Sequence, residues 1–215
     1  MICVSIAENS VDHCLKALNG LDLAEIRMER MSLSRNDIQE MFSQPVKLIA
    51  TCRPGRMPDE KRMTCLIDAI HAGASYVDIE IESDGSWKRE IMKAAQNQGC
   101  QVIMSFHDFE KTPGLERLKR IIAQCFLEGA DIAKIACMVR SEQDNARLLG
   151  LLGSKRYTNK LVVVGMGEKG KITRIVAPFF GSLFSYASRS QGRETAEGQI
   201  TKENLEAITR GVRDA

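Results

Sequence analysis

Short runs rich in Val, Ile and Leu recur along the chain at residues 2–7, 23–29, 46–53, 76–82, 101–108, 132–139, 161–166 and 183–188. Each has the length and β-branched content of a strand. Between them lie amphipathic stretches with helix-start signals: Asn9-Ser10 before Val11, Ser34 before Arg35-Asn36-Asp37, and Pro58-Asp59-Glu60 before a long periodic run. Strand and helix therefore alternate from end to end, with a last helix over 202–212. Such alternation predicts a parallel sheet with crossover helices, and eight units match an α/β fold of the (β/α)8 TIM-barrel type better than an open doubly wound sheet.

Three segments repeat a turn-then-strand pattern. Five residues after Gly20, Gly73 and Gly129 stand Glu25, Asp78 and Lys134, on the second, fourth and sixth strands. Side chains from alternate strands form the layers of a barrel interior, so these charges are expected to point inward and, if the registers agree, to share one level. Alternation puts Arg27 and Glu80 on that face one step nearer the C-terminal rim. The competing arrangement, outward ion pairs against the helices, would bury several charges in an apolar layer.

With 215 residues, 44% of them hydrophobic, residues 1–215 are expected to form one compact domain. Thirty basic residues against 28 acidic ones, mixed along the chain, argue against a nucleic-acid or membrane-surface partner. The first residues lack a basic, then apolar, leader, and no run approaches the ~20 residues of a membrane span, so a cytoplasmic protein is expected. Seven cysteines without a C-x-x-C pair indicate neither a disulfide framework nor a zinc site, and buried inert thiols are expected at Cys52 and Cys137.

Two residues stand out chemically. Lys134 is the one amine in the apolar run Ile132-Ala133-Lys134-Ile135-Ala136, where desolvation favours the neutral, nucleophilic form that condenses with carbonyls; a structural lysine paired with Glu25 or Glu80 is the alternative. His107 closes the fifth strand, where it could move protons at carbon beside an imine or brace a loop. His13 and His71 fall in expected helices and read as surface or packing residues. Arg53, closing the third strand, and Arg174, after the seventh, suit a small oxygen-rich anion. Gly165-x-Gly167-x-x-Gly170 matches a nucleotide fingerprint, but it opens no long helix and lacks the later acid, so the glycines are expected to shape a flexible loop.

Together, Val4-Ser5, Glu25-x-Arg27, Thr51-x-Arg53, Ser105-Phe106-His107-Asp108, Lys134-Ile135-Ala136, Arg174 and Gly198-Gln199-Ile200 resemble the type I 3-dehydroquinate dehydratases of the shikimate pathway. The resemblance implies that Lys134 forms an imine with the ketone of 3-dehydroquinate and that His107 removes the adjacent proton and protonates the departing hydroxyl. It further implies that Glu25, Arg27 and Arg53 hold ring hydroxyls and that Arg174 and Gln199 bind the carboxylate, with Ser5 and Thr195 nearby. No metal or diffusible cofactor and a homodimeric assembly are likewise implied. The chain departs from the family at Met57, where a histidine-contacting glutamate is usual, at Thr195 for a serine, and at Val164 and Tyr186 for a methionine and a phenylalanine. A class I aldolase and a non-catalytic relative, suggested by Met57, are the rival readings.

Overall fold

Side chains close the helix ends where the sequence offers them. Ser10 accepts from the His13 amide at 3.4 Å, and Ser34 and Asp37 form a reciprocal capping box with bonds of 3.2 and 2.7 Å. Asp84 takes the amides of Ser86 and Trp87 at 2.8 and 3.2 Å. Gly99, with φ of +67°, ends that helix in the left-handed conformation.

The structure, a computed structural model, describes residues 1–214. Strands are β1 (Ile2–Ile6), β2 (Leu23–Arg27), β3 (Lys47–Thr51), β4 (Tyr76–Glu80), β5 (Gln101–Asp108), β6 (Ile132–Met138), β7 (Leu161–Met166) and β8 (Ser185–Ser188). Helices are α1 (Val11–Leu18), α2 (Arg35–Phe42), α3 (Asp59–His71), α4 (Gly85–Gln98), α5 (Leu115–Leu127), α6 (Glu142–Gly150), α7 (Lys171–Val176) and α8 (Lys202–Asp214). The strands follow the order β7-β6-β5-β4-β3-β2-β1-β8 in one eight-stranded sheet. None of the described helices is long and apolar enough to cross a membrane.

The chain divides into two compact units, one from Ser5 to Met104 and the other comprising Met1–Val4 with Ser105 onward. In the Ser5–Met104 unit, β2 pairs with β3 and β3 with β4, all parallel. Paired parallel residues point to the same face, so Glu25, Arg27, Ile49, Thr51, Tyr76, Asp78 and Glu80 share one face of this sheet. The opposite face, Ala24, Ile26, Leu48, Ala50, Val77 and Ile79, is wholly buried and apolar, and α3 packs on β3 and β4 there. Burying a Leu or Ile side chain on such a face contributes ~1.5–3 kcal/mol, which fixes the orientation and leaves the charges on the other side.

The register refines the expected shared level. Glu25 pairs through Ile49 with Tyr76, whereas Asp78 pairs with Thr51 and through it with Arg27. Along the hydrogen bonds Asp78 thus sits two residues beyond Glu25, a stagger of the kind that closing a sheet into a barrel requires.

In the Ser105-onward unit, β6 and β7 are parallel, with Lys134 opposite Val162 and Ala136 opposite Val164. Helices α5, α6 and α7 cover the other face, where Ala133, Ile135 and Cys137 alternate with Lys134 and Ala136. β5 and β7 have the expected bounds. β2 stops at Arg27 rather than Glu29, because residues 28–30 coil into a 3-10 turn that points Glu29 back at Arg27 and at the Arg53 amide. β3 ends at Thr51, two residues before Arg53, and β8 begins at Ser185 rather than at residue 183.

Candidate active site

The Ser5–Met104 unit carries an acid and arginine cluster at the C-terminal ends of its strands. Glu25, buried on β2, accepts hydrogen bonds from Ser5 Oγ and from Thr51 Oγ1, the latter at 3.1 Å. Arg53 Nη2 lies 3.0 Å from Asp78 Oδ2 and 4.0 Å from Glu25 Oε1, and its Nη1 lies 2.6 Å from Glu80 Oε1. Burial opposes the charge on Arg53, but Asp78, then Glu80 and Glu25, more than reverse that, so its guanidinium is raised above its ordinary range. Glu80 Oε2 is also held by Arg62 Nη2 at 2.9 Å, while Arg62 Nε donates to the Cys52 carbonyl at 2.8 Å. Arg27 stands apart from this cluster: Glu29 Oε1 takes its Nε at 2.7 Å, and Glu29 Oε2 takes the Arg53 amide at 3.2 Å.

Such a cluster is costly to leave unpaired and rigid once paired. It presents hydroxyl, carboxylate and guanidinium groups on fixed strands, a set that matches a polyol by donors and acceptors together. Glu29 and Arg62 were not singled out from the sequence. Arg62 had a legible signal, since it occupies an otherwise apolar position of α3 in phase with Cys65, Leu66, Ala69 and Ile70. Glu29 had none, because its role depends on the 3-10 turn.

The Ser105-onward unit carries the amine. Lys134 is 5% exposed, and its Nζ lies 3.0 Å from the Tyr186 hydroxyl and 4.2 Å from the centre of that ring. Tyr186 belongs to β8 and is itself buried, with its ring edge-on to Phe184. Its backbone carbonyl accepts from Arg174 Nη1 at 3.3 Å. One residue therefore joins the amine to the guanidinium. His107, half-buried near the end of β5, stacks on Phe109 with ring centres 5.8 Å apart.

Arg174 is 1% exposed, yet among the described residues no carboxylate lies within ion-pair distance of it and its Nε has no partner. Its other bond goes from Nη2 to the Glu197 carbonyl at 3.3 Å. Burial alone pulls this guanidinium down to about 10. A desolvated cation with an open donor favours an anion. Gln199, also buried, donates from Nε2 to Thr195 Oγ1 at 3.0 Å and accepts the Thr195 amide at 2.7 Å. These two expected site residues brace each other.

The glycine-rich segment after β7 folds into a 3-10 turn over Glu168–Gly170 that leads into α7. Thr173 Oγ1 accepts the Gly165 amide at 2.7 Å and donates to the Gly170 carbonyl at 2.8 Å. A Cβ on Gly170 would meet the Gly165 carbonyl carbon at 2.4 Å, and one on Gly198 would meet the Gly167 oxygen at 2.2 Å. The glycines thus let the chain after β7 touch the chain before α8, beside Gln199 and the Glu197 carbonyl that holds Arg174. Cys52 and Cys137 are buried thiols, pushed up to about 12 by burial and then by Glu29 and Asp108 respectively, which makes them poor nucleophiles. Met57 places its sulfur 3.7 Å from the Cys52 thiol.

A model of the type I 3-dehydroquinase family matches residues 2–212. The chain belongs to the type I 3-dehydroquinase family. The 3-dehydroquinate dehydratase of Methanocaldococcus jannaschii is 34% identical over 221 residues, covering 98% of either chain. Among solved structures, the type I 3-dehydroquinate dehydratase of Clostridium difficile superposes with a TM-score of 0.88 at 23% identity, over 99% of this chain and 92% of that one. The 3-dehydroquinate dehydratase of Aquifex aeolicus superposes with a TM-score of 0.83 at 27% identity, over 98% of each. This likeness gives the dehydroquinase chain the (β/α)8 TIM-barrel fold expected from its alternating strands and helices.

Proposed function

We propose that the chain is a 3-dehydroquinate dehydratase, a hydro-lyase of the shikimate pathway, working through an imine on Lys134. The observation that carries the chemistry is the burial of that amine: Lys134 is 5% exposed on a strand whose other members are apolar or a buried thiol. A lysine of this kind attacks a ketone and converts it into an electron sink, so that the neighbouring C–H bond is acidified. His107 then removes that proton and delivers it to the departing hydroxyl, and hydrolysis of the imine releases 3-dehydroshikimate. Arg174 and Gln199 take the substrate carboxylate, with Thr195 holding Gln199. Ser5, Glu25, Arg27 and Arg53 serve the ring hydroxyls. Residues 1–215 act as one catalytic domain, assembled as a homodimer, and no metal or diffusible cofactor enters these steps.

Support comes from family membership and from the unpaired, buried Arg174, which suits a carboxylate. The test is reduction with borohydride during turnover of 3-dehydroquinate. An adduct on Lys134, found by peptide mass mapping and absent from Lys134→Ala, is the expected result. Turnover without any adduct would overturn the imine.

A further inference from the structure

One residue in contact with the amine departs from the family pattern. Tyr186 stands where a phenylalanine is usual, and its hydroxyl is the added atom. That oxygen lies 3.0 Å from Lys134 Nζ, and both side chains are buried, Tyr186 at 4% exposure. Phe184 packs edge-on against the ring at 5.5 Å, and the Tyr186 carbonyl accepts from Arg174. A phenol both donates and accepts hydrogen bonds, so one hydroxyl can hand a proton to one neighbour while taking one from another.

We propose that the Tyr186 hydroxyl is a further catalytic group, relaying a proton between the Lys134 nitrogen and the carbonyl oxygen as the imine is made and hydrolysed. This inference rests on the imine reading given above. When the nitrogen lone pair forms the N–C bond, the carbonyl π pair moves onto oxygen, leaving a positive nitrogen and an alkoxide. The phenol gives its proton to the alkoxide and takes one from the nitrogen, ending as it began. Departure of the resulting hydroxyl as water uses one proton from the His107 imidazolium, and the nitrogen lone pair closes the C=N bond, leaving a protonated imine and a neutral His107. No oxidant, reductant or metal is needed for the balance. The oxygen to be protonated is one bond beyond the carbon that Nζ attacks, so a hydroxyl bonded to Nζ is within reach of both atoms.

Tyr186→Phe removes one oxygen and keeps the ring, its contact with the amine and the backbone carbonyl used by Arg174. The experiment is a rapid borohydride quench during a single turnover of 3-dehydroquinate. Adducts formed before and after loss of the substrate hydroxyl differ in mass by one water, so the two steps are timed separately. The expected result is that the first adduct appears about a hundredfold or more slowly in Tyr186→Phe, within the usual range for a proton-transfer group, while its conversion to the second is unchanged. Replacement by 3-fluorotyrosine, which keeps a hydroxyl, restores the first step. A first adduct that appears at the wild-type rate, or two steps slowed in equal proportion as a packing role would give, overturns the proposal. Wild-type turnover without an adduct overturns the imine reading and this inference with it, whereas a wild-type adduct unaffected by Tyr186→Phe overturns this inference alone.

Discussion

Asp78 Oδ2 stands 3.0 Å from Arg53 Nη2, and the aspartate side chain is fully shut off from water. Asp78 comes from β4 and Arg53 from just beyond β3, so the pair ties two strand ends together where the acid cluster is densest. Its two members are not equivalent in their effect on stability. Asp78→Ala would take from the Arg53 guanidinium the fully buried one of its two closest carboxylates, leaving Glu80 at 2.6 Å, and is expected to lower the unfolding free energy by up to ~3 kcal/mol in urea titrations. The double variant Asp78→Leu with Arg53→Met should recover part of that loss while still failing to turn over. Equal stability of the single variant and wild type would show the pair to be dispensable.

Arg174 invites the opposite trade. A cation so far out of water, with an unpartnered Nε and a guanidinium drawn down to about 10, opposes folding until an anion arrives. Arg174→Met should therefore melt at or above the wild-type temperature, yet raise KM at least a hundredfold. Saturating carboxylate ligand should raise the melting temperature of wild type and leave the variant nearly unmoved. A variant that melts lower and binds normally would contradict this assignment.

Asp144, the third residue of α6, gives a pH-dependent contribution. Burial pushes its carboxyl up, but the amides of Arg140 and Ser141, at 2.9 and 3.0 Å, together with Arg147 at 2.9 Å, outweigh that and hold it below the usual carboxylate range. A lowered folded value means stability that is complete above the unfolded value of about 3.9 and lost as pH falls through the folded one. Asp144→Ala is expected to cost ~1–2 kcal/mol at pH 7, as loss of helix-end hydrogen bonds commonly does. The gap between the two proteins should narrow steadily below about pH 4. A constant gap down to pH 2 would count against it.

Gly198 combines a φ of +77° with a Cβ position 2.2 Å from the Gly167 oxygen. Gly198→Ala must move backbone on one side or the other, and the neighbour most exposed to that shift is Gln199. The expected outcome is a folded protein with KM raised more than kcat is lowered, since Gln199 and the Glu197 carbonyl that holds Arg174 are displaced together. Far-ultraviolet ellipticity checks the fold, and steady-state kinetics the split.

Much of this was legible in the chain. Val, Ile and Leu runs of strand length alternating with capped amphipathic stretches left few architectures open, and Ser10, Ser34 and the strand bounds of β5 and β7 lie where the pattern puts them. Charged residues at alternate positions of β2 and β4 announced the charged face of the sheet, because an apolar partner face left them one direction to point. Arg62 was legible in principle as an arginine in an apolar helical phase. By contrast the register between β2 and β4, the turn that swings Glu29 onto the Arg53 amide, and the packing of Gly198 on Gly167 depend on atoms brought close from distant parts of the chain.

The difference is clearest at Lys134 and Tyr186. Sequence alone determined that an amine lies within an apolar strand, since periodicity and burial are local properties of neighbouring side chains. Only the tertiary structure decided what that amine touches. Tyr186 is 52 residues away, and its identity as a tyrosine reads as a packing change until β8 carries its hydroxyl to 3.0 Å from the nitrogen. Hydrogen bonds act over a few ångströms of space, whatever the number of residues between their partners.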